Sequence, residues 1–362
     1  MLRLAAGMAA EGISVELLLI QQKGEYLDDV PNTIPVHCLD SKSVTSALLP
    51  LARYICKRKP SSILAALTHV NVVAILSARL ARFKGPVIVS ERNHVSSKAR
   101  DAKGLRDRLS YKLVRYVYPL ATKVVAVSKG VAADLKAFSK LSDALVTYIY
   151  NPVFDQNLAR LTRERPSHAW LRDHIVPVVV AFGRLHPQKD FPMLIRAFDI
   201  ARSRVSARLI IFGEGQERAS LQALIDQSTY PGDIDLAGFT GRPLAEMAAA
   251  DLLALSSRWE GFPNVLVEGL ASGLRIVATN CPSGPEEILD GGRYGCLVPV
   301  GDAEAMANGI VQSVLTPPDR EAFQKRAAVV SVQTAVALYA KLLNIRVDVL
   351  PSVLNSGSYE SA

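Results

Sequence analysis

The block from Leu252 to Gly273 constrains the fold more than any other part of the chain. Leu252-Leu253-Ala254-Leu255 is a short apolar run, and after a polar turn comes Glu260-Gly261-Phe262-Pro263-Asn264-Val265-Leu266-Val267-Glu268-Gly269-Leu270-Ala271-Ser272-Gly273. The run reads as a buried strand and the stretch behind it as a helix. Pro263 suits the first helical turn, where its missing N–H costs nothing. Gly273 suits the helix exit, where a left-handed residue is wanted. The amides of Asn264, Val265 and Leu266 are then expected to be unpaired and to face outward from a strand end, a ready site for phosphate. Glu260 precedes the helix, placed for hydroxyls of whatever group the phosphate carries. Glu268 lies about one turn inside, placed to accept from a ribose diol. A solvated loop carboxylate and a helix-face carboxylate are the alternative for these two residues.

At 362 residues the chain suits two domains. No apolar run reaches the roughly 18 residues that span a bilayer, and no signal-peptide pattern opens the sequence. Cys38, Cys56, Cys281 and Cys296 are far apart, with no C-x-x-C pair. That argues against a disulfide framework or zinc site and for a reduced cytoplasm. The net charge of +8 is uneven: residues 1–151 hold 22 Lys and Arg against 11 Asp and Glu, and the remainder holds 20 against 23. An anionic partner is expected for the first domain only.

The chain opens with a helix over Met1 to Ala10, ended by Gly12, and a strand from Val15 to Ile20. A Rossmann-like domain begins with a strand and a glycine-rich loop before such a helix. That first strand is apparently missing, which would leave a gap between two sheet edges. Further strands are expected at Ile63–Leu67, Pro86–Ser90, Lys123–Ser128 and Leu145–Tyr150. Thr68 to Asn71 is expected as a loop, and Glu91-Arg92-Asn93-His94 follows the next strand. Ligands of open α/β sheets bind at such carboxyl ends, so His69 and His94 are candidates to face a cleft. Lys98 to Tyr118 reads as one basic amphipathic helix with Leu105, Leu109, Leu113 and Val117 along one side. It meets either anionic lipid or a diphosphate-linked acceptor, or else only solvent. The stretch from Phe154 to Val176 reads as a polar linker.

Val178 to Phe182 is a buried strand, followed by Gly183-Arg184-Leu185-His186-Pro187-Gln188-Lys189. The glycine permits close backbone approach, and Arg184 and Lys189 can neutralise a diphosphate. Gly213-Glu214-Gly215 lacks the full dinucleotide-binding setting, which argues against a dehydrogenase.

Glu-x7-Glu in the setting EGFPNVLVE resembles the signature of glycosyltransferase family 4, retaining enzymes of the GT-B fold, and the resemblance runs from about Leu2 to about Asn344. It implies an α/β chain of two Rossmann-like domains facing a cleft. The boundaries drawn are 1–155 for the acceptor side, 156–333 for the nucleotide-sugar side, 334–349 for a helix returning to the first domain, and 350–362 for a disordered tail. It also implies sugar transfer from a nucleoside diphosphate sugar to a glycan or lipid-linked acceptor, without cofactor and usually without metal. By resemblance Arg184, Lys189 and Glu260 are catalytic. Gly183, Gly213, Gly215, Phe239, Thr240, Gly261, Phe262, Pro263, Asn264, Val265, Leu266 and Glu268 bind the donor. Arg92, Asn93, His94 and His69 stand on the acceptor or sugar side, and which of the first three meets the donor stays open. Ser90-Glu91-Arg92-Asn93 resembles a subset that builds bacterial surface glycans and lipid-linked oligosaccharides. A cytoplasmic location follows, with peripheral contact to an anionic membrane. The rival readings are an epimerase or nucleotide-sugar hydrolase of the same architecture, and a non-catalytic basic protein that binds RNA.

Overall fold

The computed structural model describes residues 1–22, 30–102, 104–155 and 158–346. The chain forms two compact units: residues 1–152 with the segment from Val332 onward, and residues 153–331.

The first unit runs α1 (Leu2–Ala10), β1 (Leu17–Leu19), β2 (Val36–Cys38), α2 (Leu48–Arg58), β3 (Ile63–Ala66), α3 (Thr68–Leu80), β4 (Val87–Glu91), α4 (Val95–Asp101), α5 (Leu105–Val117), β5 (Lys123–Ala126), α6 (Lys129–Ser139) and β6 (Val146–Tyr148). Its strands are all parallel, in two separate sheets: β1-β2, and β3-β4-β5-β6. Among the described residues no strand precedes α1 and none joins β1 to β3. Parallel strands need cover on both faces, and β4 accordingly is buried at all five positions. One covering layer joins Leu4 and Met8 of α1 to Ile88, Val125 and Ile149, together with Val336 and Tyr339 from the far end of the chain.

In the second unit the order is α7 (Leu158–Leu161), α8 (Ala169–Asp173), β7 (Val178–Phe182), α9 (Phe191–Arg202), β8 (Arg208–Phe212), α10 (Arg218–Asp226), β9 (Ile234–Gly238), α11 (Pro243–Ala249), β10 (Leu252–Leu255), α12 (Asn264–Ala271), β11 (Arg275–Thr279), α13 (Pro285–Ile288), β12 (Cys296–Val298), α14 (Ala303–Leu315) and α15 (Arg320–Ala328). The last helix, α16 (Val332–Leu342), belongs to the first unit. The second sheet is parallel, in the order β12-β11-β10-β7-β8-β9. This is the doubly wound arrangement. Its topological switch point lies between β7 and β10, where strand order reverses and ligands of such sheets bind. A large apolar core under α9 and α14 makes that sheet a rigid platform.

Four expectations need correction. Thr68 to Asn71 is the first turn of α3 and not a loop; the turn is made by Leu67 alone, at φ 82°. The basic segment forms two helices, α4 and α5, with Gly104 capping the second. Among the described side chains of α5 the buried positions are Val114 and Val117, and Leu109 is 56% exposed. A repeat of four drifts by about 40° per step on a helix of 3.6 residues per turn, so Leu109 does not share the buried face of Val117; the side chain of Leu105 lies outside the described residues. The linker between 154 and 176 contains α7 and α8, both packed on α11. Ser167 ties it down, its amide donating to Glu246 Oε1 at 2.9 Å. The expected disordered tail, 350–362, lies outside the described residues. So does Lys103. Among the described residues no helix is long and apolar enough to cross a membrane, and all four cysteines are free.

Candidate active site

The loops leaving β7 and β10 meet at the switch point of the second sheet. Lys189, at the end of a short 3-10 turn after β7, donates from Nζ to Glu260 Oε1 at 2.7 Å. Ser257 Oγ donates to the same oxygen at 2.7 Å. The pair is largely enclosed, with side-chain exposures of 18% for Lys189 and 10% for Glu260. The two loops are sewn together around it. Gln188 Nε2 donates to Trp259 O, the Arg258 amide donates to Gln188 O, and Ser256 Oγ donates to Lys189 O at 2.6 Å. Arg258 pairs with the buried Asp190 at 2.9 Å. Sequence reading missed Ser257, Gln188, Asp190 and Arg258. The signal was their adjacency to Lys189 and Glu260, which carries no meaning until the loops are known to touch.

Two glycines permit this packing. A Cβ on Gly183 would stand 2.7 Å from Lys189 Cε, and one on Gly213 would stand 1.9 Å from Gly183 O. Both contacts lie below ordinary van der Waals separation, so any side chain there pushes the lysine or the backbone away. Gly215 is equally crowded, against Leu185 O. Arg184 is exposed and forms no ion pair among the described residues.

Behind Glu260 the chain turns into α12. Pro263 is the N-cap and not the first helical residue, and no side chain caps this end. The Val265 amide has no partner among the described residues. The Leu266 amide does: it donates to Pro263 O at 3.0 Å, so it is not available as expected. The Leu266 side chain is core, with Phe262 close to it in burial. Gly273 takes the expected left-handed exit, at φ 77°. Glu268 sits half-buried one turn inside the helix. The loop after β11 locks Glu260 and Gly261 in place: the Glu260 amide donates to Pro282 O at 2.7 Å and Ser283 Oγ to Gly261 O at 3.0 Å. Cys281 at its root is buried, which pushes the thiol up to about 12.

Beyond β9, Phe239 is 71% exposed at the edge of an open depression of about 640 Å³. Arg165, Arg172, Arg242 and Ser167 complete its wall. Thr240 Oγ1 donates to Glu246 Oε1 at 3.3 Å, so its hydroxyl has a structural partner.

In the first unit the expected residues cluster at the carboxyl end of β4. His94 is the N-cap of α4; its Nδ1 lies 3.1 Å from Ser97 Oγ and 3.5 Å from Asp134 Oδ2. Arg92 and Asn93 are half-buried beside it, and burial pulls the Arg92 guanidinium down from its ordinary value. His69 is exposed on the first turn of α3. The residue that sequence reading passed over is Glu91, which is wholly buried. Thr68 Oγ1 donates to it at 2.9 Å and Tyr118 Oη at 2.8 Å, while Asn71 Nδ2 donates on to Tyr118 Oη at 3.0 Å. Desolvation pushes the Glu91 carboxyl up to about 7, against the downward pull of those donors.

Comparison with known proteins agrees with this picture. Residues 1–156 match the family described as Glycosyltransferase Family 4, and residues 176–315 match Glycosyl transferases group 1. The chain is 31% identical, over 59% of its length and 57% of the relative's, to N-acetylgalactosamine-N,N'-diacetylbacillosaminyl-diphospho-undecaprenol 4-alpha-N-acetylgalactosaminyltransferase of Campylobacter jejuni. It is 26% identical to the amylovoran biosynthesis glycosyltransferase AmsD of Erwinia amylovora, over 75% of this chain and 73% of that one. Across three of the curated relatives the matched stretch spans 57%, 46% and 39% of their length, about half. Among solved structures, Anabaena HepE in complex with UDP-glucose superposes with a TM-score of 0.75 at 22% identity, covering 94% of this chain and 95% of HepE. The fold is therefore GT-B.

Proposed function

Starting from a chain that joins a glycosyltransferase family 4 domain to a glycosyl transferases group 1 domain on the GT-B fold, we propose that it transfers a sugar, with retention, from a nucleoside diphosphate sugar to a glycan or polyprenyl-diphosphate-linked acceptor. The observation that carries this is the meeting of Lys189 and Glu260 at the switch point of the second sheet, four residues ahead of the uncapped tip of α12. The tip and the cations Arg184 and Lys189 hold the diphosphate as it leaves. Fixed positive charge helps most where negative charge grows in the transition state, so this work is done without a metal. Lys189 lies between two anions, the departing phosphate and Glu260. Glu260, held by Lys189 and Ser257, orients the sugar hydroxyls. Glu268 takes the ribose diol, and the open face of Phe239 supports the base. The phosphate of the donor accepts the acceptor proton on the same face. The acceptor is met by the first unit, with Arg92, Asn93, His94 and His69 on that side, at the cytoplasmic face of a membrane. Names of relatives that act on undecaprenol-linked sugars and on lipopolysaccharide support this acceptor class.

The test is calorimetric titration with UDP, GDP and ADP. Selective binding of one nucleotide supports the reading and identifies the base. Binding of none, with a cooperative unfolding transition intact, removes it. Turnover of the donor with no acceptor present would favour a hydrolase or epimerase instead.

A further inference from the structure

Glu91 ends β4 wholly buried and forms no ion pair among the described residues. A buried carboxyl costs stability unless it is neutral or well hydrogen-bonded, and an apolar side chain would pack there without that cost. Packing therefore does not explain an acid at this position. Its bonds do. Oε1 accepts from Thr68 Oγ1 at 2.9 Å and from the Arg92 amide at 3.3 Å, and Oε2 accepts from Tyr118 Oη at 2.8 Å. Thr68 opens α3 just ahead of His69, and Arg92 opens the stretch that carries Asn93 and His94. One carboxyl thus joins the two backbone segments that bear all the acceptor-side candidates. The hydroxyls of Thr68 and Tyr118 can both turn, so the same cage holds the carboxylate or the neutral acid.

The half-buried Arg92 forms no ion pair among the described residues. Glu91 and Tyr339 are the groups that favour its charged form, against the desolvation that opposes it. Burial pushes the Tyr339 phenol up, and its hydroxyl donates to Ser90 Oγ, so it stays neutral. That leaves Glu91 as the carboxyl whose state decides how much of the Arg92 charge is offset. The other groups around them are the Met1 amino group of α1, which faces Arg92; Tyr111 of α5, which faces Tyr118; Asn71 of α3, which donates to Tyr118 Oη; and His94, which lies against Asp134.

We propose that Glu91 is a positioning residue for a diphosphate ester bound at Arg92: it fixes the Arg92 backbone through the amide, and its own charge sets how much of the guanidinium's charge the phosphate meets. The assignment rests on the reading that the first unit meets the acceptor. Neutral Glu91 leaves the guanidinium uncompensated, and ionised Glu91 offsets it. Burial pushes the carboxyl up to about 7, so the exchange falls near neutral pH. Affinity for the diphosphate is highest below that value and falls as the pH rises through it. By reciprocity a phosphate on Arg92 favours the neutral acid, so binding near neutrality takes up protons.

The experiment is calorimetric titration of the full chain with geranyl diphosphate and, separately, with UDP, GDP and ADP. Each is run in buffers of unlike ionisation enthalpy, at about pH 6 and about pH 8, on either side of the exchange. Relative to Glu91→Gln, which stays neutral throughout, the parent should lose about tenfold in affinity across that range, the effect of two unit charges roughly 12 Å apart at an effective dielectric of about 20. Changes in the ligand's phosphate, His69 and His94 are common to both proteins and cancel in the ratio. Proton uptake should be larger in the parent than in Glu91→Gln. Tyr118→Phe removes a donor that holds the carboxylate, so it should carry the midpoint to higher pH. A purely structural Glu91 would shift affinity equally at every pH. Glu91 dependence in the geranyl diphosphate arm assigns the phosphate to a lipid-linked acceptor, and dependence in a nucleotide arm assigns it to the donor. Parallel pH profiles in parent and Glu91→Gln overturn the inference, as does equal proton uptake or full binding by Arg92→Ala. A nucleotide that binds with no Glu91 dependence while geranyl diphosphate does not bind overturns this inference and leaves the transfer reading standing. Loss of all nucleotide binding removes both.

Discussion

Replacing Lys189 by Met leaves Glu260 as a largely buried carboxylate with one remaining donor. Removing one partner of a buried pair costs about 3–5 kcal/mol, because the other charge stays desolvated. Here the side chains retain 18% and 10% exposure, and Ser257 Oγ still donates at 2.7 Å. The cost is therefore set lower, at about 2–3 kcal/mol, after discounting for that residual solvation. For a unit of this size each kcal/mol moves the midpoint by roughly 2–4 °C, giving about 4–12 °C in all. Glu260→Gln alone should cost less, since a neutral amide tolerates burial better than an unpaired charge. The double variant Lys189→Met/Glu260→Gln should recover at least about 1.5 kcal/mol relative to the sum of the singles, the size of coupling seen for directly bonded neighbours. Urea unfolding followed by tryptophan emission reads this unit selectively, because the two tryptophans, Trp170 and Trp259, both lie in residues 153–331. Strict additivity, or a Lys189→Met variant within about 0.5 kcal/mol of the parent, would refute the claim that the two loops are joined by this pair.

Glu268→Ala should weaken nucleotide binding by about 1–3 kcal/mol, the worth of a hydrogen bond to a charged group; unchanged affinity in calorimetry removes Glu268 from the ribose. Arg184→Ala should lower turnover more than donor affinity if the arginine acts on the departing diphosphate, and steady-state kinetics separate the two. Glu91 gives a pH prediction. Its folded value, about 7, stands above the ordinary 4.5, so the fold prefers the neutral acid. That preference is fully present below pH 4.5, fades as the pH rises toward 7, and is absent above it. The span corresponds to about 3 kcal/mol. In Glu91→Gln the decline in first-unit stability between those pH values should flatten, as read by denaturation across the range; an unchanged slope would mean that Glu91 titrates normally.

Much of the fold could be read from the chain because its strands are buried on both faces. Val178–Phe182, Leu209–Phe212 and Leu252–Leu255 are uninterrupted apolar runs, and α9, α10 and α12 follow them at short range. What failed depended on distant contacts. Leu67 makes a turn at positive φ that no turn-forming residue announces. Leu109 sits at a core-like spacing yet faces outward, because α5 presents Val114 and Val117 to its neighbours. The candidate site divides the same way. Arg184, Lys189, Glu260 and Glu268 were visible as charged residues beside strand ends. Lys189 and Glu260 are 71 positions apart, however, and their bond exists only because β7 and β10 are neighbours. Glu91 looked like one more loop acid. Its burial is decided by Thr68 and Tyr118, which reach it from 23 positions before and 27 after.

The return of α16 to the first unit sets an order on synthesis. Residues 153–331 are continuous, so the second unit has everything it needs as soon as it leaves the ribosome. The first unit does not. Val332 and Val336 fill the space against Gly7, and Tyr339 Oη donates to Ser90 Oγ, so α1 and β4 lack one side of their core until the segment after Ser331 emerges. At about 5–20 residues per second, that leaves the first unit incomplete for roughly 10–40 s after β6 has been made. The half translated first is thus the half that finishes last, with apolar surface open to chaperones in the interval. A nonsense codon just after Ser331 would yield a folded second unit tethered to a first unit whose core stays open on one side.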